Sequence, residues 1–237
     1  MALEYDYSGS ELELFKEARN WKAYCARQIN SYIGRKVLEV GAGIGGTTSA
    51  LFSTDVEHWC ALEPDHEQYL TLADKISSGD LAHACEARHG TLVDVHAGEL
   101  YDSILYIDVL EHIERDANEL QLAASHLAPG GFLVVLVPAH QWLFSAFDKS
   151  VGHYRRYSVK QLLNLTPPGA DVVHSRYLDS CGIILSLANR LLIRKDLPSE
   201  KDIKFWDKAI VPISRVLDPV LGYRLGKTAV VVWQCPR

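Results

Sequence analysis

Lys36-Val-Leu-Glu-Val40-Gly41-Ala-Gly-Ile-Gly-Gly46 is the stretch on which the reading of this chain turns. Five residues of buried-strand character run into a glycine-rich break, and Thr47 to Phe52 then opens as a helix. A strand, a tight glycine turn and a helix in that order form the first half of a βαβ unit. The pattern repeats outward. His58 to Leu62 predicts a second strand, and Asp65 caps a helix through Ser77. A weaker strand falls at Ala84 to Arg88 and a stronger one at Asp102 to Asp108. A helix from Asp116 to Leu127 stops at Pro129-Gly-Gly131, and Phe132 to Val137 is an apolar strand ended by Pro138. Upstream, Leu12, Leu14, Phe15, Ala18, Trp21, Cys25 and Ile29 share one side of a predicted helix from Glu11 to Tyr32. Strands alternating with helices predict an α/β fold with a doubly wound, mainly parallel sheet.

Beyond Pro138 the pattern loosens. Gln141 to Asp148 reads as aromatic and irregular, Ser158 caps a helix through Leu165, and Val172 to Tyr177 predicts a sixth strand. Gly182 to Leu221 predicts two or three helical pieces with breaks at Pro198, Pro212 and Pro219. Thr228 to Trp233 is a last, β-branched strand.

At 237 residues the chain suits one α/β domain carrying an insertion and is short for two. Its formal charge of -6 argues against a nucleic-acid partner, which demands a basic surplus. The five cysteines (Cys25, Cys60, Cys85, Cys181, Cys235) never form a C-x-x-C pair, so neither a disulfide framework nor a thiolate metal site is expected. The acidic N-terminus lacks a signal-peptide pattern, and the apolar stretch Cys181 to Ile193 is too short and polar to span a bilayer. A cytoplasmic protein without stable membrane association is the expectation.

The glycine turn lets a ligand approach the backbone without a Cβ in the way. Glu63 lies about twenty residues beyond it, where an acid accepts bonds from ribose hydroxyls. A nucleoside-containing cofactor follows. Glu39, two residues before Gly41, argues against NAD, because strands feeding NAD phosphates usually stay apolar to the turn. An NAD-dependent reductase, a non-catalytic cofactor-binding protein and a membrane-surface enzyme acting on a lipid-linked acceptor through the insert, which no polybasic patch supports, remain as alternatives.

Val37-Leu-Glu-Val-Gly-Ala-Gly-Ile-Gly45 resembles the first motif of class I S-adenosylmethionine-dependent methyltransferases. The resemblance extends through Leu62-Glu-Pro-Asp65, Tyr106-Ile-Asp-Val-Leu-Glu-His-Ile113 and Leu127-Ala-Pro-Gly-Gly-Phe132 in the family's order. It implies a Rossmann-like, seven-stranded sheet with a helical insert before the last strand. It also implies S-adenosylmethionine as cofactor and methyl transfer to a small-molecule acceptor. Gly41, Gly43 and Gly45 would line the methionine part, Glu39 would fix the loop, and Glu63 would hold the ribose. Asp108 and Val109 would flank the cofactor. Gly90-Thr-Leu92 replaces the family's Gly-Asp-Leu, so Thr91 would meet the adenine.

His112 and His153 are the candidate bases, because imidazole titrates near neutrality. His112 could equally cap a helix or position substrate. Asp108, Glu111 and His112 resemble a metal-binding cluster of a ubiquinone-pathway O-methyltransferase group, but no fourth partner is evident and no metal is assigned. Gly152-His-Tyr-Arg-Arg-Tyr157 resembles a block of one methyltransferase subgroup. Tyr154, Arg155 and Arg156 could grip an anionic or hydroxylated acceptor, or pin the loop by pairing with acids such as Asp148. Tyr24 is a further acceptor candidate. Ile183, Ile184, Leu187, Leu191 and Leu192 form an apolar lid or, more in keeping with their type, pack on the core. The chain divides into an N-terminal cap (1–34), a cofactor half (35–138) and an acceptor half (139–237) with its insert at 182–221.

Overall fold

The computed structural model of the chain describes Phe15, residues 17–188 and residues 198–236. The expected helix start before Phe15, and Leu191 and Leu192 of the insert, lie outside the described residues. The elements in chain order are α1 (Arg19–Ile29), β1 (Lys36–Val40), α2 (Gly46–Leu51), β2 (His58–Glu63), α3 (His66–Ser77), β3 (Cys85–His89) and β4 (Tyr101–Ile107). They continue with α4 (Asp116–Ser125), β5 (Leu127–Pro138), α5 (Ala146–Ser150), α6 (Val159–Asn164), β6 (Asp171–Leu178), α7 (Ser180–Ala188), α8 (Glu200–Phe205), α9 (Val211–Val220) and β7 (Thr228–Gln234).

One seven-stranded sheet has the order β3-β2-β1-β4-β5-β7-β6. The first five strands are parallel, and β7 runs antiparallel between β5 and β6. The expected α/β fold, mainly parallel with helices on both faces, is the fold observed. Alternate residues along each strand serve opposite layers, as the two-residue repeat of a strand requires. Val37, Trp59, Leu105 and Val232 face a layer that includes Trp21 and Ile29 of α1, Leu72 of α3 and Trp206. Leu38, Cys60, Tyr106 and Trp233 face the other, with Leu120 of α4 and Leu162 of α6. Burial on both faces explains why the strands read as continuous apolar runs.

The termini of elements follow local chemistry. Asp65 accepts from Gln68 N at 2.9 Å and caps α3 as expected. Ser158 and Gln161 form a reciprocal capping box at α6. Three expectations are corrected. Leu127 belongs to β5 rather than to the preceding helix, paired with Tyr101 across the sheet. The segment 141–148 is not wholly irregular, since α5 starts within it behind a Ser145–Asp148 capping box. Pro212 does not break the insert: the chain passes from α8 through a wide π turn at Trp206–Ile210 directly into α9. The missing amide of Pro212 falls where the run changes from the wide π pitch to the α pitch, which accommodates the ring.

β1 is followed by strands on one side and β4 by strands on the other, so the order reverses between them. Ligands of such sheets bind in the crevice at the carboxyl ends of strands at this switch point.

Candidate functional site

A cavity of about 950 Å³ opens at that point. It is walled by the turns after β1 (Gly41, Ala42, Gly43), β2 (Glu63), β3 (Gly90, Thr91) and β4 (Asp108, Val109, Glu111, His112). His153, Arg156 and Lys227 close the other side, and Ile203, Phe205 and Trp206 of the insert cover part of it. Its size and mixed lining suit a small-molecule or cofactor site.

The glycine turn is fixed by backbone bonds. Gly41 N and Ala42 N both donate to Leu62 O, at 2.8 and 3.0 Å. Gly41 has φ +68°, and a Cβ there would lie 2.7 Å from Val109 Cγ2. Only glycine fits that left-handed, crowded position. Gly43 N donates to Glu63 Oε2 at 2.7 Å, and Asp65 N to Glu63 Oε1 at 2.8 Å. Glu63 is thus held in the wall with acceptor capacity to spare on both oxygens. Burial raises its carboxyl above the usual range, while those two amides pull it back.

The remaining cofactor candidates separate. Thr91, Asp108 and Val109 reach the cavity. Gly45 is corrected, since it does not line the cavity; Glu39, expected to fix the loop, stands behind the turn. A Cβ on Gly45 would meet Leu72 and Leu81, so that glycine admits α3 rather than a ligand. Glu39 is buried and accepts from Thr48 Oγ1 at 2.6 Å and Trp59 Nε1 at 2.9 Å. It reaches the turn only through α2. Burial lifts its carboxyl to about 7, with Thr48 and Trp59 opposing.

Asp108 sits at the end of β4 with φ +55°, a strained position that turns its side chain over the cavity. Asp108 is open to the cavity, and the protein packed around it raises its carboxyl to about 6 by desolvation, against the attraction of His153, Lys227 and Arg156. Glu111 is fully buried, and neither carboxylate oxygen has a hydrogen-bond partner. Burial pushes its carboxyl well up, and Asp108 adds to the effect.

His153 lies against this cluster. Its Nδ1 pairs with Asp148 Oδ1 at 2.8 Å, and its Nε2 is 3.9 Å from Glu111 Oε1. The His153 and His112 rings meet edge to face at 4.6 Å. Burial and His153 depress His112 to about 4, so it is neutral at ordinary pH. Burial alone would raise Asp148, yet hydrogen bonds from His153 and Arg156 hold its carboxyl far below the usual range. Ligand atoms of Glu111, His112 and His153 lie within 4.8 Å of one another. That trio could share one cation or one proton. It differs from the grouping in the sequence: His153 joins from a distant loop in place of Asp108.

The 152–157 block is a strap. Tyr154 N donates to Glu111 O at 2.8 Å, Arg155 and Tyr157 both bond Asp116 at 2.8 Å, and Arg156 Nε donates to Asp148 at 2.7 Å. Tyr154 and Arg155 do not line the cavity; they stitch the loop to the 108–116 segment and are corrected from acceptor ligands to loop anchors. Arg156 does line it. Tyr24 is also corrected: it is buried, and its hydroxyl donates to Asp218 at 2.8 Å. Lys227 is the residue the sequence reading missed. It precedes the last strand, lies 3.5 Å from Asp179 and 4.0 Å over the Trp206 ring, and burial lowers its ammonium pKa. A lone Lys227 between Gly226 and a β-branched run was the available signal.

The sheet order and the crevice define a Rossmann-like cofactor-binding enzyme. The model of the methyltransferase domain matches residues 12–168, and the chain belongs to that family, the class I S-adenosylmethionine-dependent methyltransferases. No curated protein matches the chain in sequence. Solved structures share the fold. Coclaurine N-methyltransferase bound to N-methylheliamine and S-adenosylhomocysteine superposes with a TM-score of 0.58 at 16% identity, over 89% of this chain and 70% of that one. A methyltransferase in complex with the Haloferax volcanii Trm112 activator gives 0.62 at 16%, over 97% and 93%. The [4+2]-cyclase SpnF gives 0.62 at 13%, over 90% and 80%.

Proposed function

We propose that this chain transfers the methyl group of S-adenosylmethionine to a small-molecule acceptor held between the 108–112 segment and His153. Residues 35–138 act as the cofactor half and 139–237 as the acceptor half. The observation that carries the reading is the Asp148–His153 pair, 2.8 Å apart, on a histidine that lines the same cavity as the glycine turn. The residues present fit the cofactor: the turn Gly41–Gly43 presents bare backbone to the cavity, and the Glu63 carboxylate beside it has free acceptor capacity. Bound there, S-adenosylmethionine supplies an electrophilic methyl group.

The chain's own residues then have separable tasks. Gly41 and Gly43 give backbone clearance, Glu63 takes the ribose hydroxyls, and Thr91, Asp108 and Val109 enclose the remainder. Asp148 fixes the tautomer of His153, whose Nε2 accepts the proton that a hydroxyl or ammonium acceptor gives up. His112, neutral and depressed, forms the wall that positions the acceptor. Alignment supplies most of the rate, because two reactants held in line escape the entropy cost of encounter. The apolar insert residues exclude water.

A small-molecule acceptor agrees with the acidic balance of the chain and with coclaurine N-methyltransferase, whose structure holds N-methylheliamine. The cyclase neighbour shows that this fold also hosts other chemistry, so the transfer itself is the thing to measure. With methyl-labelled cofactor and metabolite extract of the producing cell, His153→Ala lowers label transfer by about 10² to 10⁴. Asp148→Asn falls between that variant and the parent, and His112→Ala loses less than His153→Ala. Undiminished transfer by His153→Ala removes the proposed base; no transfer by the parent chain, despite cofactor binding, removes the enzyme reading.

A further inference from the structure

Helix α9 is mounted inside out. Its buried positions are Val211, Ser214 and Asp218, and the last two are wholly inaccessible. Asp218 accepts from Tyr24 Oη at 2.8 Å, Asp179 N at 2.7 Å and Ser180 N at 3.0 Å. Ser214 Oγ donates to Asp179 at 2.6 Å and accepts from Cys181 N at 3.1 Å. The helix therefore docks on the molecule through polar groups. Its aliphatic stripe points outward: Ile213, Val216, Leu217 and Val220 are 51, 66, 39 and 78% exposed. Those positions follow the i, i+3, i+4, i+7 spacing of a single face. Leu221 and Leu225 continue it beyond the helix end at 40 and 53%. An ordinary surface helix buries such a stripe, and a contiguous apolar patch in water marks a docking surface.

The charges around the stripe say what docks. Between residues 203 and 225 the exposed charged side chains are Lys204, Lys208, Arg215 and Arg224, all cationic, although Lys204 is paired with Glu200 at 3.1 Å and the exposed acids Glu200 and Asp202 precede the span. The two acids of that span, Asp207 and Asp218, are buried in the bonds that hold the insert. In a chain of net charge -6 the flanks of the stripe are basic, through Lys208 before the helix and Arg224 after it, while Arg215 sits on the other side of α9. We infer that α9 and its flanks form a docking surface for an anionic lipid bilayer, with the aliphatic stripe at the headgroup–acyl boundary and the cations on lipid phosphates. An amphipathic helix lying in the interface plane combines these same two attractions. No helix among the described residues is long and apolar enough to cross a membrane, so the contact is peripheral. The same helical run reaches the site: Phe205, 56% exposed, also lines the cavity, which places its mouth at the edge of the docked face.

The surface does not depend on the methyl-transfer reading, and vesicle flotation of the full chain tests it. Vesicles of phosphatidylcholine mixed with phosphatidylglycerol carry the protein upward; vesicles of phosphatidylcholine alone carry little, and added salt weakens the binding. The variant V216E/V220E changes two exposed side chains, keeps the parent's thermal midpoint, and binds at least about tenfold more weakly. K208E/R224E reverses two charges at the flanks of the stripe and loses at least about fivefold for each on the anionic vesicles alone. Failure of the parent to float with anionic vesicles overturns the inference, as does unchanged binding by V216E/V220E. A concentration-dependent dimer in sedimentation that V216E/V220E abolishes, without vesicle binding, also overturns it and assigns the face to a second copy.

Discussion

Glu39 and Glu63 stand at the ends of neighbouring strands, and their fates differ because of what surrounds each carboxyl. Glu63 borders the cavity and takes two backbone amides; Glu39 is sealed in the sheet with two side-chain donors. The sealed acid has a measurable signature. Burial lifts its carboxyl to about 7 in the folded chain, against about 4.5 for a glutamate in the unfolded one. Between those values the folded state holds a proton that the unfolded state has released, so rising pH destabilises the fold until both are ionised. Glu39→Gln keeps an acceptor for Thr48 and Trp59 and has no proton to lose. Urea unfolding of both proteins from pH 4.5 to 8 is expected to show the variant gaining roughly 3 kcal/mol over the parent, most of it by pH 7. A constant difference across that range would place the Glu39 titration elsewhere. Gly41, Glu63, Asp108 and Val109 were legible because their motif encodes a backbone shape and a strand end. Tyr24, Tyr154 and Arg155 were misassigned because only tertiary structure reveals the acids, Asp218 and Asp116, that claim their polar tips, and the main-chain anchoring of Tyr154.

At the scale of elements, the parallel strands were readable because both of their faces are buried and their apolar runs are unbroken. The insert was not. Prolines suggested breaks, but Pro212 enters a first turn and the π turn before it absorbs the change of pitch. Periodicity in α9 is strong and marks a face, yet hydrophobic spacing alone assigns that face inward. Its polar anchoring on Asp179, Asp218 and Tyr24 is a matter of long-range partners. Asp218→Ala would leave the Tyr24 hydroxyl and two backbone amides without an acceptor in a dry site. Chemical denaturation should show a loss of about 3 kcal/mol or more. Ser214→Ala removes one hydroxyl from the same network and costs about 1 kcal/mol. A loss below 1 kcal/mol for Asp218→Ala would mean that aliphatic packing, not this carboxylate, seats the helix.

For the whole molecule, the sheet gathers the ends of β1, β2, β3 and β4 from residues far apart in the chain into one crevice, and the insert closes over it from the opposite side. A ligand that fills the crevice touches both, so it ties the insert to the sheet and binds the folded state alone. Free ligand at about one hundred times its dissociation constant adds about 2.7 kcal/mol of stability. For a domain of this size that raises the thermal midpoint by roughly 5 to 10 °C. S-adenosylmethionine and S-adenosylhomocysteine should each produce such a shift, with calorimetric titration giving the affinity at which to set the concentration. NADH at equal concentration should produce none, because the family to which the chain belongs uses S-adenosylmethionine. Gly41→Ala drives a Cβ into Val109 at a left-handed position, so both the midpoint without ligand and the ligand-induced rise should fall. A rise with NADH of the same size, or one with S-adenosylmethionine that survives in full in Gly41→Ala, would move the cofactor away from the glycine turn.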